Sequence, residues 1–135
     1  MLRVLLFILL FSSTSINAQK GFKKKVLGKY EGQIAAYKIN SGSQFIDVSS
    51  TNVSLIIRKE NITFSIGKNE MTGPYIWSKK DKKTILIEFS RPIDETKEVF
   101  ILTKKTKEII RQGIYPQPTT TLRKVKKRGI NKNLR

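Results

Sequence analysis

The sequence predicts an all-β domain: an antiparallel up-and-down meander of eight or nine short strands closing into a small barrel. Three observations predict it. Apolar and polar side chains alternate with period two in several stretches. Turn-forming residues separate those stretches at short intervals, and no stretch sustains a 3.6-residue apolar period. Half-buried strands produce the first pattern, and their spacing is that of a sandwich or antiparallel barrel.

The clearest alternation runs from Asn52 to Gly67. Val53, Leu55 and Ile57 alternate with Ser54, Ile56 and Arg58, and Ile62, Phe64 and Ile66 alternate with Thr63 and Ser65. Setting Ile57 opposite Ile62 puts Leu55 opposite Phe64 and Val53 opposite Ile66, so all these apolar side chains share one face. A slip of one residue would bury Arg58 or Ser65 instead. That register leaves residues 58–61 as a loop commonly built around a type I turn, with Asn61 in its left-handed position.

Before this hairpin, Gly28 opens the domain. Tyr30, Gly32, Ile34 and Ala36 fall on one face of a long first strand, and Gly32 within it implies a bend or a close backbone approach. Ser41-Gly42-Ser43 is a turn, and Gln44 to Val48 a short strand with Ile46 and Val48 on one side. After it, Gly67-Lys68-Asn69 breaks the pattern, and the next strand runs through Tyr75, Ile76 and Trp77. Pro74 lacks an N–H and belongs at that strand's start or on an unpaired edge. Lys79 to Lys83 is a charged hairpin tip, and Ile85, Ile87 and Phe89 mark the return strand. Trp77 facing Ile85 and Tyr75 facing Ile87 gives a consistent register. Ser90 to Lys97 is a loop.

A third hairpin joins Val99–Thr103 to Glu108–Arg111 around Lys104 to Lys107. Its inward face stays open, because Phe100 and Leu102 compete with Val99 and Ile101. Tyr115-Pro116-Gln117-Pro118 makes a rigid corner, and Thr119 to Val125 is the last strand, with Leu122 in the core. The tail, residues 126–135, is rich in charge and poor in apolar groups, a composition that implies disorder.

The first 18 residues have the order of a bacterial-type secretory signal peptide: Arg3, an apolar run from Val4 to Phe11, a polar stretch, then Ala18 before a cut at Gln19. The expected location is therefore periplasmic or secreted. The apolar run is too short for a membrane-spanning helix. With no cysteine in the chain, the site lacks the residue that a lipoprotein anchor needs, and no disulfide framework can form. The mature chain then divides into a basic flexible lead-in (19–27), the barrel (28–125) and the basic tail.

The net charge of +17 is concentrated at the two ends. Residues 19–29 carry five lysines and no acid, and residues 123–135 carry seven Lys or Arg and no acid. The stretch between holds 14 basic and 10 acidic residues. Lys23, Lys24, Lys25, Lys124, Lys126, Lys127 and Arg128 are the candidate contacts to an anionic membrane surface or polyanion. A lysine-rich composition that only keeps the chain soluble accounts for the same charges.

Without histidine or cysteine, the usual nucleophile–base pairs and the imidazole or thiolate metal sites cannot be built. No Gly-rich phosphate loop is present. A carboxylate pair of glycosidase type remains, but nothing in the spacing of Glu31, Asp47, Glu60, Glu70, Asp81 and Glu88 pairs them. No enzyme activity and no cofactor are expected.

Gly28-Lys29-Tyr30 at the first strand and Arg123 in the last are the residues through which the chain resembles the lipocalin-like, or calycin, group of small barrels. Those begin with Gly-x-Trp and often set an Arg or Lys of the last strand over the aromatic. The resemblance covers few positions, with Tyr in place of Trp. It implies a barrel able to hold a ligand, with Arg123 over Tyr30. Tyr75 and Trp77 share a face, and Phe64 and Phe89 lie on neighbouring apolar faces. Together they could line a pocket for an apolar or amphipathic ligand, or simply fill the core, as in many small barrels.

Overall fold

The computed structural model describes residues 24–126. The expected signal peptide, most of the basic lead-in and the tail beyond Lys126 lie outside them. The strands are β1 (Gly28–Ile34), β2 (Tyr37–Asn40), β3 (Phe45–Val48), β4 (Thr51–Ile57), β5 (Ile62–Ile66) and β6 (Asn69–Gly73). They continue with β7 (Tyr75–Lys79), β8 (Thr84–Ser90), β9 (Lys97–Thr103), β10 (Glu108–Arg111) and β11 (Thr120–Lys124).

Nine of these form one sheet in the order β6-β5-β4-β1-β11-β10-β9-β8-β7, and every pairing is antiparallel. From β4 to β6 and again from β7 to β11 the chain meanders, each strand lying beside its successor, and β11 returns to pair with β1. The sheet's two edges, β6 and β7, are consecutive in the chain, with only Pro74 between them. The meander therefore nearly closes into a barrel. Pro74 sits where one line of chain leaves β5 and joins β8, a place that needs no N–H for the ladder. The Tyr75 hydroxyl spans this seam, donating to the carbonyls of Arg58 at 2.8 Å and Lys59 at 3.2 Å.

The β4–β5 hairpin has the register expected from its alternation: Val53 opposite Ile66, Leu55 opposite Phe64, Ile57 opposite Ile62. Its 58–61 loop closes with Arg58 N–H donating to the Asn61 carbonyl. Asn61 is not left-handed, however. Among the described residues only Glu95 and Lys107, besides glycines, have positive φ. Ile66, at the strand's end, is half-buried.

Elsewhere the structure corrects the expectations. The long first strand stops at Ile34. The chain then leaves the barrel as a separate ribbon, β2–β3, on which Phe45 and Ile46 are exposed. The chain from Asn69 to Gly73 is a strand that the alternation does not reveal, because Met71 is its only large apolar residue. The β7–β8 register is two residues away from expectation: Trp77 faces Ile87 and Tyr75 faces Phe89. Asp81 explains the shift. Its Oδ1 accepts from the N–H groups of Lys83 and Thr84 at 2.7 and 2.8 Å, an Asx turn that lengthens the loop. A slip of two keeps every side chain on its face, so the apolar pattern could not detect it.

The barrel's interior is filled from every side. Tyr30 and Ile34 come from β1, Val53, Leu55 and Ile57 from β4, Ile62 and Phe64 from β5, and Ile85, Ile87 and Phe89 from β8. Phe100 and Leu102 of β9, Ile109 of β10 and Leu122 of β11 complete it. Phe64 and Phe100 meet edge to face, with centroids 5.4 Å apart. Gly32 is the close approach expected of it. A Cβ there would collide with the Thr121 carbonyl oxygen and lie 2.7 Å from Leu122 Cδ2.

Phe64 is fully buried and touches both the β9 aromatic and a buried guanidinium, so Phe64→Ala should cost about 3–5 kcal/mol in urea unfolding. A loss below about 1 kcal/mol would place it outside the core.

Candidate functional site

The residues expected to line an apolar pocket are core residues. Phe64 and Phe89 are completely buried, Tyr75 nearly so, and Trp77 is half-buried against them. Burial also raises the Tyr75 phenol above its ordinary value. None of the three depressions described below is lined by any of these four side chains.

The third hairpin resolves its open face in favour of Phe100 and Leu102, with Ile109 facing Leu102 across the ladder. The same phase turns Glu98 of β9 and Arg111 of β10 inward, and both are completely buried. Arg111 Nε donates to Glu98 Oε2 at 3.0 Å and Arg111 Nη2 to Oε1 at 3.0 Å, a two-pronged pair. Arg91, from the loop between β8 and β9, adds its Nε at 2.9 Å and its Nη2 to the same Oε1. Arg111 Nη2 also donates to Gln117 Oε1 at 3.0 Å, tying in the 112–119 segment. The Arg111 guanidinium lies over the Phe64 ring, 5.4 Å from its centroid.

Sequence reasoning missed this cluster. The available signal was phase: Glu98 and Arg111 stand two residues from Phe100 and Ile109 on neighbouring strands, and opposite charges in phase with apolar faces imply a buried pair. Above the cluster, a recess of about 500 Å³ opens between the β5–β6 turn and the loop after β8. Ile66, Lys68, Met71, Arg91, Asp94 and Gln117 are among its lining residues. A smaller depression of about 340 Å³ lies on the outer face of β1, β4 and β5.

The opposite rim carries the basic residues. β1 begins and β11 ends there, beside the β9–β10 turn, so the two chain ends converge. Lys24, Lys29, Lys107, Arg123, Lys124 and Lys126 line a concavity of about 820 Å³, with Glu108 as its one acidic residue and Leu27 and Val125 as apolar patches. Of the candidates for anionic contact, the structure brings Lys24, Lys124 and Lys126 together there. Lys25 is exposed beside them, and Lys23, Lys127 and Arg128 lie outside the described residues. Lys29, Lys107 and Arg123 are additions that only the strand pairing places.

Residues 24–27 are docked rather than loose. Val26 and Leu27 pack on the core, and Lys124 Nζ donates to the Lys25 carbonyl at 2.6 Å. The Tyr30 hydroxyl donates to the Val26 carbonyl at 2.8 Å. The cation over the Tyr30 ring is Lys124, with Nζ 6.0 Å from its centroid, and not Arg123. The register decides this: Tyr30 stands directly opposite Lys124, which turns the exposed Arg123 outward toward Glu108, Nε to Oε1 at 3.4 Å.

In comparisons with known proteins, no family model, no curated protein and no solved structure matches the chain. The structure is that of a small β-barrel in general terms. Among the described residues no group of three or more His, Cys, Asp or Glu could hold a metal ion, and no helix is long and apolar enough to cross a membrane.

Glu98→Ala should cost about 3–5 kcal/mol, because it strands a buried guanidinium. Combining Glu98→Leu with Arg111→Met should recover most of that loss, and thermal melts of the variants check both statements. Burial pushes the Tyr30 phenol up to about 12. An acid whose folded pKa is raised stabilises the fold fully below its unfolded value near 10, and loses that contribution as the pH rises toward about 12. Denaturant midpoints should therefore fall between these values in the native chain, and less steeply in Tyr30→Phe.

Proposed function

We propose that the chain is an exported, non-enzymatic binding module that holds an anionic polymer in the concavity where its two ends meet. The observation that carries this reading is the excess of cations there: six Lys and Arg side chains against Glu108. Lys29 is partly compensated by Glu31 at 2.7 Å and Arg123 by Glu108. Both pairs are exposed and add little stability, but each carboxylate cancels one charge, which leaves the hollow a net excess of four positive charges, six cations less two acids. The cations that remain face one hollow, where their fields add and attract a polyanion.

The hollow shape favours a chain over a flat membrane, because a strand of linked anions can enter a concavity that a bilayer surface would bridge. Among the described residues no aromatic side chain lines the hollow, so they offer no platform for the base stacking by which single-stranded nucleic acids are commonly held. With an export signal expected at residues 1–18, an acidic polysaccharide is the polymer that fits. The apolar-ligand reading of Tyr75, Trp77, Phe64 and Phe89 is less well supported, since these side chains are used in closing the core.

Retention on immobilised heparin tests the proposal. The protein should bind at low ionic strength and elute as salt screens the contacts. Lys24→Glu with Lys126→Glu should elute at clearly lower salt. Lys38→Glu with Lys97→Glu makes the same change in net charge away from the hollow and should elute close to the native chain. Equal shifts for the two pairs would reduce the effect to overall charge. Stronger retention on phosphatidylglycerol vesicles than on heparin would transfer the role to a membrane surface.

A further inference from the structure

The recess on the rim opposite the basic hollow is a second place where the protein offers more than it satisfies internally. Glu98 is saturated: its Oε1 takes three donors, two from Arg91 and one from Arg111, and its Oε2 takes Arg111 Nε. Gln117 Oε1 is used by Arg111, which turns the amide into a positioned donor. Arg111 Nη1 is buried and has no hydrogen-bond partner among the described residues. Among the described residues Arg91 Nη1 is ion-paired with Asp94 Oδ2 at 3.9 Å, a distance beyond hydrogen-bond range. Asp94 is engaged elsewhere, its Oδ1 accepting from Thr96 N–H at 3.0 Å. That hydrogen bond, first among its causes, holds its carboxyl below the ordinary value.

This is a surplus of donors around one saturated acceptor. Two guanidiniums against a single buried carboxylate also leave one positive charge at the recess floor. The exposed rim above sets Lys68 against Glu70 and places Asp94 beside Arg91, so the recess as a whole is balanced in charge and its surplus is one of N–H donors. The walls are apolar where Ile66 and Met71 face the recess, and Ile93 stands at its edge, almost fully exposed. A volume of about 500 Å³ suits a small molecule.

We propose that this recess binds a small amphipathic molecule through a single carboxylate or phosphate group. The anionic head accepts from Arg91 Nη1 and the Gln117 amide, and the apolar remainder lies against Ile66, Met71 and Ile93. Glu98 and Arg111 are positioning residues. They fix the Arg91 guanidinium so that its third nitrogen faces the recess, and they hold Gln117 with its amide nitrogen available. This site is independent of the polyanion hollow, which lies on the other rim.

The test is an NMR titration of the isotope-labelled chain with four probes: octanoate, octyl phosphate, inorganic phosphate and octanol. Saturable shifts of the Arg91 Nε–H and the Gln117 side-chain amide are expected with octanoate or octyl phosphate, and not with octanol. A preference between the two charged amphiphiles names the head group. An equal response to inorganic phosphate supports the anion contact and makes a free anion the occupant. Arg91→Lys, which keeps the charge and loses the planar fork, should weaken the better probe about tenfold. Should that variant fail to fold, Met71→Glu, which sets a like charge in the recess wall, must weaken it similarly. Lys24→Glu with Lys126→Glu must leave the titration unchanged, which separates this site from the hollow. Absence of saturable shifts, equal binding of octanol, or undiminished affinity in the folded Arg91→Lys variant overturns the proposal.

Discussion

A carboxylate buried without any exposure organises one end of this barrel. Glu98 cannot remain charged there unless its lone pairs are met by donors and its charge by cations, since the cost of desolvating it is several kcal/mol. Arg111 and Arg91 meet both demands, and in doing so they tie two loops to the β9–β10 ladder. β9 and β10 are locked in phase, the loop after β8 is drawn over the rim, and Gln117 is pulled in through Arg111. Phe64 underlies the guanidinium from β5, so the polar cluster also rests on the apolar core.

The two rims treat positive charge differently. Around Glu98 the cations are buried, paired and fixed in geometry, so they act at short range through directed hydrogen bonds. Around the meeting chain ends the cations are solvated and mostly in excess, so they act together through their field and lose strength in salt. On the proposed reading, the first arrangement suits a small molecule held by shape and hydrogen bonding. On the same reading, the second suits a long anion, with little demand on its detail.

Much of the fold could be read along the chain because strand alternation has a period of two. The β4–β5 register, the approach at Gly32 and the break at Pro74 followed from that period and from backbone sterics. Its blind spots follow from the same physics. A shift of two residues conserves faces, so the Asx turn at Asp81, and not the apolar pattern, decides how Tyr75 and Trp77 pair. β6 offers Met71 as its only large apolar side chain, and a strand lying at a sheet edge needs no second one. The resemblance to lipocalin-like barrels anticipated a cation over the first-strand aromatic, but pairing in β1–β11 gives that place to Lys124.

By itself the sequence determined the fold class, the core hairpin and the concentration of charge at the two ends. Each of these depends on local period or on composition, and both survive any arrangement of the strands. Only the tertiary structure decided where the charges act. Lys107 is remote in sequence from both basic ends, yet the antiparallel return of β11 to β1 sets it in the same hollow. Glu98 and Arg111 read along the chain as two ordinary surface charges. They became a buried pair because Phe100 and Ile109, two residues away on neighbouring strands, fixed which side of the sheet faces inward.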